Sequence, residues 1–267
     1  IGGNYAYEDN KVNFISADLP KLYLSGSGTG SSYAVANHVF PVIMGYDYVR
    51  DNEGHVIVDR TSGLPTKTSD IVILGNATPR HRLGVNLSAD YKNFHFSILF
   101  EHRGDYKIFN SMGPEMDWSG TGYRTAVYDR ESFVFPNSVY EDPNKPGTYI
   151  KNTSIAIANG NGNNGFWTDD INRGVTSNYV TSASFWKLRE VSLSYDLPAS
   201  ALAKIKFVKQ ATFSIQGRNL LLLMAKDNLY TDPEYSVSGN ENNGVGITGL
   251  NSAPPSRFYG ATLSFKF

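Results

Sequence analysis

The chain has 267 residues, a net charge of −1 and no cysteine. That length suits one large β domain or two smaller ones, and the charge offers no clustered basic surface for nucleic acid. The absence of cysteine excludes a disulfide framework, a thiolate metal site and a Cys nucleophile, while 25 Gly, 17 Tyr, 15 Phe and 12 Pro favour strands and turns over helices.

The sequence opens at Ile1 without Met, charged n-region or apolar h-region, as expected of a mature chain or a piece of one. Tyr5 and Tyr7 precede a turn at Glu8-Asp9-Asn10, with Val12 and Phe14 beyond it. A long connection follows over roughly 20–80. Within it, 46–49 and 55–58 flank Asp51-Asn52-Glu53-Gly54 and read as an extra hairpin. The most informative stretch is 83–103. Leu83, Val85, Leu87, Ala89 and Tyr91 alternate with Gly84, Asn86, Ser88 and Asp90. After Lys92-Asn93, Phe94, Phe96, Ile98 and Phe100 alternate with His95, Ser97, Leu99 and Glu101. A two-residue turn there pairs Tyr91 with Phe94, Ala89 with Phe96 and Leu87 with Ile98, apolar against apolar on one face.

A second long connection covers roughly 105–182, with a turning tip at 159–165 (NGNGNNG). Val191, Leu193, Tyr195 and Leu197 then alternate up to Pro198. A helical turn is expected over 199–205, and Ala211, Phe213, Ile215 and Gly217 resume the alternation. A third long connection, roughly 220–256, leads to Tyr259, Ala261, Leu263, Phe265 and Phe267.

No run of 18 apolar residues occurs, so no helix crosses a membrane. Barrel strands alternate and average out as polar, so the mean hydropathy of −0.32 is compatible with a barrel. The strands carry about five apolar positions opposite Ser, Thr, Asn and Gly, and they match the roughly 9–11 residues that a tilted strand needs to cross the hydrocarbon. Short and long connections alternate strictly, as periplasmic turns and extracellular loops do in outer-membrane barrels. A compact soluble domain rarely carries several loops this long. The fold class expected is therefore all-β: an antiparallel transmembrane barrel segment of about seven strands with long extracellular loops.

An ordered set of elements resembles the C-terminal region of SusC/RagA-like TonB-dependent transporters. They are Tyr48-Val49-Arg50-Asp51 through Gly54, Ile57-Val58-Asp59, Ser62-Gly63-Leu64-Pro65, Leu74-Gly75-Asn76 with Pro79, and Tyr91-Lys92-Asn93-Phe94. Arg103-Gly104-Asp105 with Phe109-Asn110 follows, then the run from Ser184-Phe185-Trp186-Lys187-Leu188-Arg189-Glu190 to Tyr195 and Leu197-Pro198. Gly217-Arg218-Asn219-Leu220, Asp232-Pro233-Glu234 and Arg257 to Phe267 complete the set. The resemblance implies that residues 1–267 are the C-terminal portion of a larger, roughly 22-stranded plugged barrel, with no plug domain or signal peptide in this chain. It implies active import of oligosaccharides or peptides under a SusD-like surface lipoprotein, energised by the TonB complex through sequence outside this chain. Phe267 resembles the terminal signal read by the outer-membrane assembly machinery.

No catalytic or metal site is expected, and no cofactor. The five histidines, His38, His55, His81, His95 and His102, show no zinc-binding spacing. His95 and His102 fall on opposite faces of one strand. Gly26 to Ser31 (GSGTGS) lacks the residues of a phosphate loop, and Asp51 to Gly54 loses two ligands of a calcium loop, so both read as turns. Arg103-Gly104-Asp105 sits at a strand end and reads poorly as an adhesion tripeptide. Asp169-Asp170 and Asp232 with Glu234 supply carboxylates, but nothing makes either a glycosidase pair.

Val85, Leu87, Phe96, Ile98, Leu193, Phe213, Leu263 and Phe265 are expected to face lipid. Tyr91, Phe94, Phe100, Tyr195 and Tyr259 are read as an interfacial girdle. Trp118, Tyr123, Tyr128, Phe166, Trp167 and Tyr179 lie in the long middle connection. They are candidates for substrate or lid contact, the alternative being that they pack the loop's own core. Two rival architectures are a soluble carbohydrate-binding β-sandwich, whose apolar strand faces would bury one another, and a complete small barrel.

Overall fold

The computed structural model describes residues 1–157, 164–203, 207–234, 245–250 and 255–267. In chain order the first strands are β1 (Gly2–Tyr7), β2 (Lys21–Ser27), β3 (Gly30–Val35), β4 (Val42–Gly45), β5 (Val56–Ile57) and β6 (Val72–Asn76). Next come β7 (His81–Tyr91), β8 (Phe94–Gly104), β9 (Lys107–Phe109), β10 (Ser138–Glu141), β11 (Tyr149–Lys151) and β12 (Val180–Ser182). The last are β13 (Phe185–Asp196), β14 (Gln210–Met224) and β15 (Phe258–Lys266). Four short helices are α1 (Met112–Trp118), α2 (Asn164–Thr168), α3 (Asp170–Arg173) and α4 (Ala199–Leu202).

The principal sheet has the order β1-β7-β8-β13-β14-β15, with every pairing antiparallel. The β7–β8 hairpin has the expected register: Tyr91 opposite Phe94, Ala89 opposite Phe96, Leu87 opposite Ile98. Lys92 turns the corner at φ 53°. The apolar rows continue across the sheet, for example Ala89–Phe96–Leu193–Ile215–Ala261 and Tyr91–Phe94–Tyr195–Phe213–Leu263. The reverse face carries hydroxyl rows, in which Ser97 meets Ser192 at 2.7 Å and Ser214 meets Ser194 at 2.8 Å.

Six strands form this sheet among the described residues, one fewer than expected. Val12 and Phe14 make no strand, and the turn at Glu8-Asp9-Asn10 makes no hairpin: β1 pairs with β7 instead. Two alternating residues are too few to hold a ladder. Here Val12 exchanges backbone bonds with His38 and Asn37, while the Asn10 side chain brackets Phe40, accepting from its N–H at 2.7 Å and donating to its carbonyl at 3.1 Å.

The antiparallel order places the connections 8–80, 105–184 and 225–257 at one end of the sheet, and the short ones, 92–93 and 197–209, at the other. The apolar face stays uncovered, with Leu193, Phe96, Phe213 and Leu263 37–55% exposed. That contradicts the β-sandwich alternative, which requires this face to be buried against a second sheet. The sheet is also open, β1 and β15 each having one partner among the described strands. The six described strands do not close on themselves, and bacterial barrels begin at about 8.

Most of the buried apolar residues lie in the connections instead, Phe185 and Ala211 being exceptions on the sheet itself. The stretch 20–80 is a four-stranded sheet, β2-β3-β4-β6, rather than a plain loop. The expected hairpin forms: Asp51 accepts from the N–H groups of Glu53 and His55, Arg50 bridges Val56 antiparallel, and the Ile57 N–H donates to the Val49 carbonyl, while β5 also pairs in parallel with β10. The 159–165 tip falls largely outside the described residues. Of the 199–205 turn, α4 is described.

Candidate functional site

Beyond the principal sheet, β8 and β13 bend and continue as the pair β9–β12. At the bend Asp105 takes φ 57°, its N–H donates to Ser184 Oγ, and its carboxylate lies 3.3 Å from Arg80. Arg103-Gly104-Asp105 is thus a strand corner with its acid engaged. A third segment joins β9: the Phe109 N–H donates to the Gly246 carbonyl, and the Thr248 N–H to the Phe109 carbonyl. Ile43, Ala77, Phe109, Tyr179 and Ile247 pack together there.

The polar centre of this loop module is Asp117. It accepts from the Tyr179 hydroxyl at 2.9 Å, Arg124 at 3.0 Å and Asn172 at 3.2 Å. Burial first, then the Asp117 charge, pushes the Tyr179 phenol up. Gly113 lets α1 approach closely, since a Cβ there would fall 2.3 Å from the Tyr179 ring.

The six aromatic candidates divide. Phe166, Trp167 and Tyr179 are 1%, 8% and 0% exposed, packed against Phe133, Ile157 and Phe109. These three pack the module's own core in this structure. Trp118, Tyr123 and Tyr128 are 53%, 71% and 38% exposed. Arg173 sits 5.7 Å over the Trp118 ring, and Tyr128 stacks on Phe133 with centroids 4.2 Å apart. A hollow of about 180 Å³ opens between Arg124, Val127, Tyr128, Phe133 and Pro136, and Phe166 and Trp167 also line it.

The eight residues expected to meet lipid all share the apolar face. The girdle residues Tyr91, Phe94, Phe100, Tyr195 and Tyr259 lie on that face too. Phe267 stacks on Phe207 and Phe265. His95 and His102 fall on opposite faces: His95 bonds Asp90, and His102 stacks on Trp186.

One functional cluster has no role in the sequence reading. On the polar face, at the loop end of the strands, Glu101, Arg103, Lys187 and Arg189 meet Asp232 and Glu234 from the last long connection. Lys187, only 2% exposed, donates to Asp232 at 2.7 Å and to Glu234. Arg189 donates to Glu101 and bidentately to Glu234, and Arg103 lies 2.7 Å from Glu101 and 3.1 Å from Glu234. Burial alone would raise the Glu234 carboxyl, but the bonds and charges of Arg189 and Lys187 prevail and hold it at about 2. The sequence signal was strand parity, which puts Glu101 and Lys187 on the polar face. The partners are remote in sequence and invisible to it.

A six-stranded antiparallel sheet with one apolar and one hydroxyl-rich face, and its long connections gathered at one end, is the architecture of an outer-membrane β-barrel segment. The chain is similar to TonB-dependent receptors of the SusC/RagA-like kind, proteins of the bacterial outer membrane. It is 25% identical to TonB-dependent receptor P3 of Formosa agariphila over 219 residues, 81% of this chain and 19% of that protein. It is 24% identical to receptor P39 of the same organism over 74% of this chain and 17% of that protein, and 26% identical to receptor P26 over 77% and 18%. Among solved structures, the RagAB peptide transporter matches 99% of this chain and 26% of that one, with TM-score 0.61 and 17% identity. The RagAB peptide importer in its open-open state matches with TM-score 0.57, also at 17% identity, over 99% and 26%. No family model matches. The chain spans about a fifth of the length of the curated relatives and about a quarter of the solved chains. Those relatives are named as receptors and transporters rather than as enzymes.

Proposed function

We propose that residues 1–267 form the C-terminal portion of an outer-membrane active transporter that imports oligosaccharides or peptides. A SusD-like surface lipoprotein covers it, and the TonB complex energises it through sequence outside this chain. The observation that carries this reading is the uncovered apolar face, on a sheet whose long connections all leave from one end. The eight apolar residues meet lipid, the aromatic girdle marks the interfaces, and the hydroxyl face lines the lumen. Trp118, Tyr123 and Tyr128 contact cargo or lid from the loop module, and Phe267 serves the assembly machinery. The likeness to TonB-dependent receptors and to the RagAB peptide transporter supports import.

The test is topological. An epitope tag inserted beside Asn144, in the exposed β10–β11 turn, should bind antibody on intact cells. A tag between Lys92 and Asn93 should bind only after permeabilisation. The reverse pattern, or recovery of the complete protein from the soluble fraction, would overturn the reading.

A further inference from the structure

A cleft of about 200 Å³ opens where the loop ends of β7 and β8 meet the last long connection, and the reading so far assigns it nothing. Its walls include Thr78, Arg82, Arg103, Tyr106, Lys107 and Glu234. Three observations give it a chemical character. The Tyr106 side chain is buried, yet its hydroxyl has no hydrogen-bond partner among the described residues. Leaving such a group unmatched is costly, so its retention calls for an acceptor that arrives from outside. Lys107 makes no ion pair or side-chain hydrogen bond among the described residues. Its stem is seated where Gly75 leaves room, since a Cβ at Gly75 would fall 2.5 Å from Lys107 Cγ. Finally, the acid on the wall is already spent. Glu234 is shared among Arg103, Lys187 and Arg189, while among the described residues Arg82 has only the half-exposed Glu8 at 3.5 Å. The cleft therefore presents unspent positive charge and an idle hydroxyl donor.

We propose that this cleft binds a carboxylate of the cargo, with Lys107 and Arg82 supplying charge and the Tyr106 hydroxyl donating a hydrogen bond. The proposal rests on the import reading. Two kinds of cargo carry the group: a peptide through its C-terminus and an acidic oligosaccharide through its uronic acids. Burial raises the Tyr106 phenol, which keeps it protonated and able to donate. Tyr106→Phe removes an oxygen that has no partner among the described residues, so the variant should fold at least as well as the parent.

The experiment uses the complete receptor in detergent and calorimetric binding of four probes: a neutral-side-chain hexapeptide, its C-terminal amide, trigalacturonate and its methyl ester. In one pair the acid should bind about tenfold or more tighter than its neutralised form, the size expected of a charge-assisted bond. Lys107→Gln and Tyr106→Phe should each narrow that gap while leaving the neutral form unchanged. The pair that responds names the source of the carboxylate. Equal binding of acid and neutral forms in both pairs would sink the site while leaving import intact, as would a gap that survives both variants. Binding of none of the four would also sink it, with import then decided separately by the surface-tag pattern.

Discussion

Glu234→Gln tests whether the ion cluster fastens the last long connection to the barrel wall. The substitution keeps the shape and one acceptor oxygen but removes the charge that Lys187, Arg189 and Arg103 share. Lys187, buried at 2% exposure, would then rely on Asp232 alone. Breaking a buried pair of this kind costs roughly 3–5 kcal/mol. The carboxyl gives a second route to the magnitude: its descent from the usual 4.5 to about 2 corresponds by linkage to about 3 kcal/mol. Because the folded value is depressed, that contribution is complete above about pH 4.5 and is lost as pH falls toward 2. Hydrogen exchange of residues 225–234 in the complete protein should accelerate about a hundredfold in the variant. Measured as protection factors, which correct for intrinsic exchange, the parent should lose protection there on acidification and the variant should lose less. Exchange within about twofold of the parent, or an unchanged acid response, would refute the fastening role.

Lysine at Leu193 or Ile98 should cost roughly 2–4 kcal/mol and block assembly, whereas Thr262→Lys on the opposite face should insert, as fractionation would show. Phe166→Ala should destabilise the loop module by about 3–5 kcal/mol. Trp118→Ala, more than half exposed, should change stability by no more than about 0.5 kcal/mol while weakening cargo or lid binding. Asp117→Ala strips Arg124 and the Tyr179 hydroxyl of their shared acceptor and should cost about 3–5 kcal/mol, read as faster proteolysis within 112–180.

The principal sheet was legible because its period is two and its tightest turn has two residues, so the apolar positions could pair in only one register. The break at Leu188/Glu190 has no place in the sequence reading, whose alternation starts only at Val191. Leu188 and Val191 share the apolar face three residues apart, as a bulge at Arg189 requires. The loop module was not legible either. Val42, Ile43, Met44 and Gly45 are all buried, so β4 shows no alternation, and its neighbours β3 and β6 are only six and five residues long. Composition also could not sort the aromatics. Phe166 and Trp118 look alike as loop residues, and only the packing around Phe133 and Asp117 decides which points inward. The ion cluster joins Lys187 to residues 45 and 47 positions away, a separation that no local pattern encodes.

The strand that completes β9 comes from the far end of the chain: Ser111 is bonded to Thr248 across 137 residues. Until that late segment arrives, Phe109 and Tyr179 lack Ile247, and one edge of β9 stands open. The mouth of the structure therefore has a high contact order and must close last, after the hairpins, whose strands are neighbours in sequence. Closing a loop of 137 residues costs more chain entropy than closing the two-residue turn of the β7–β8 hairpin.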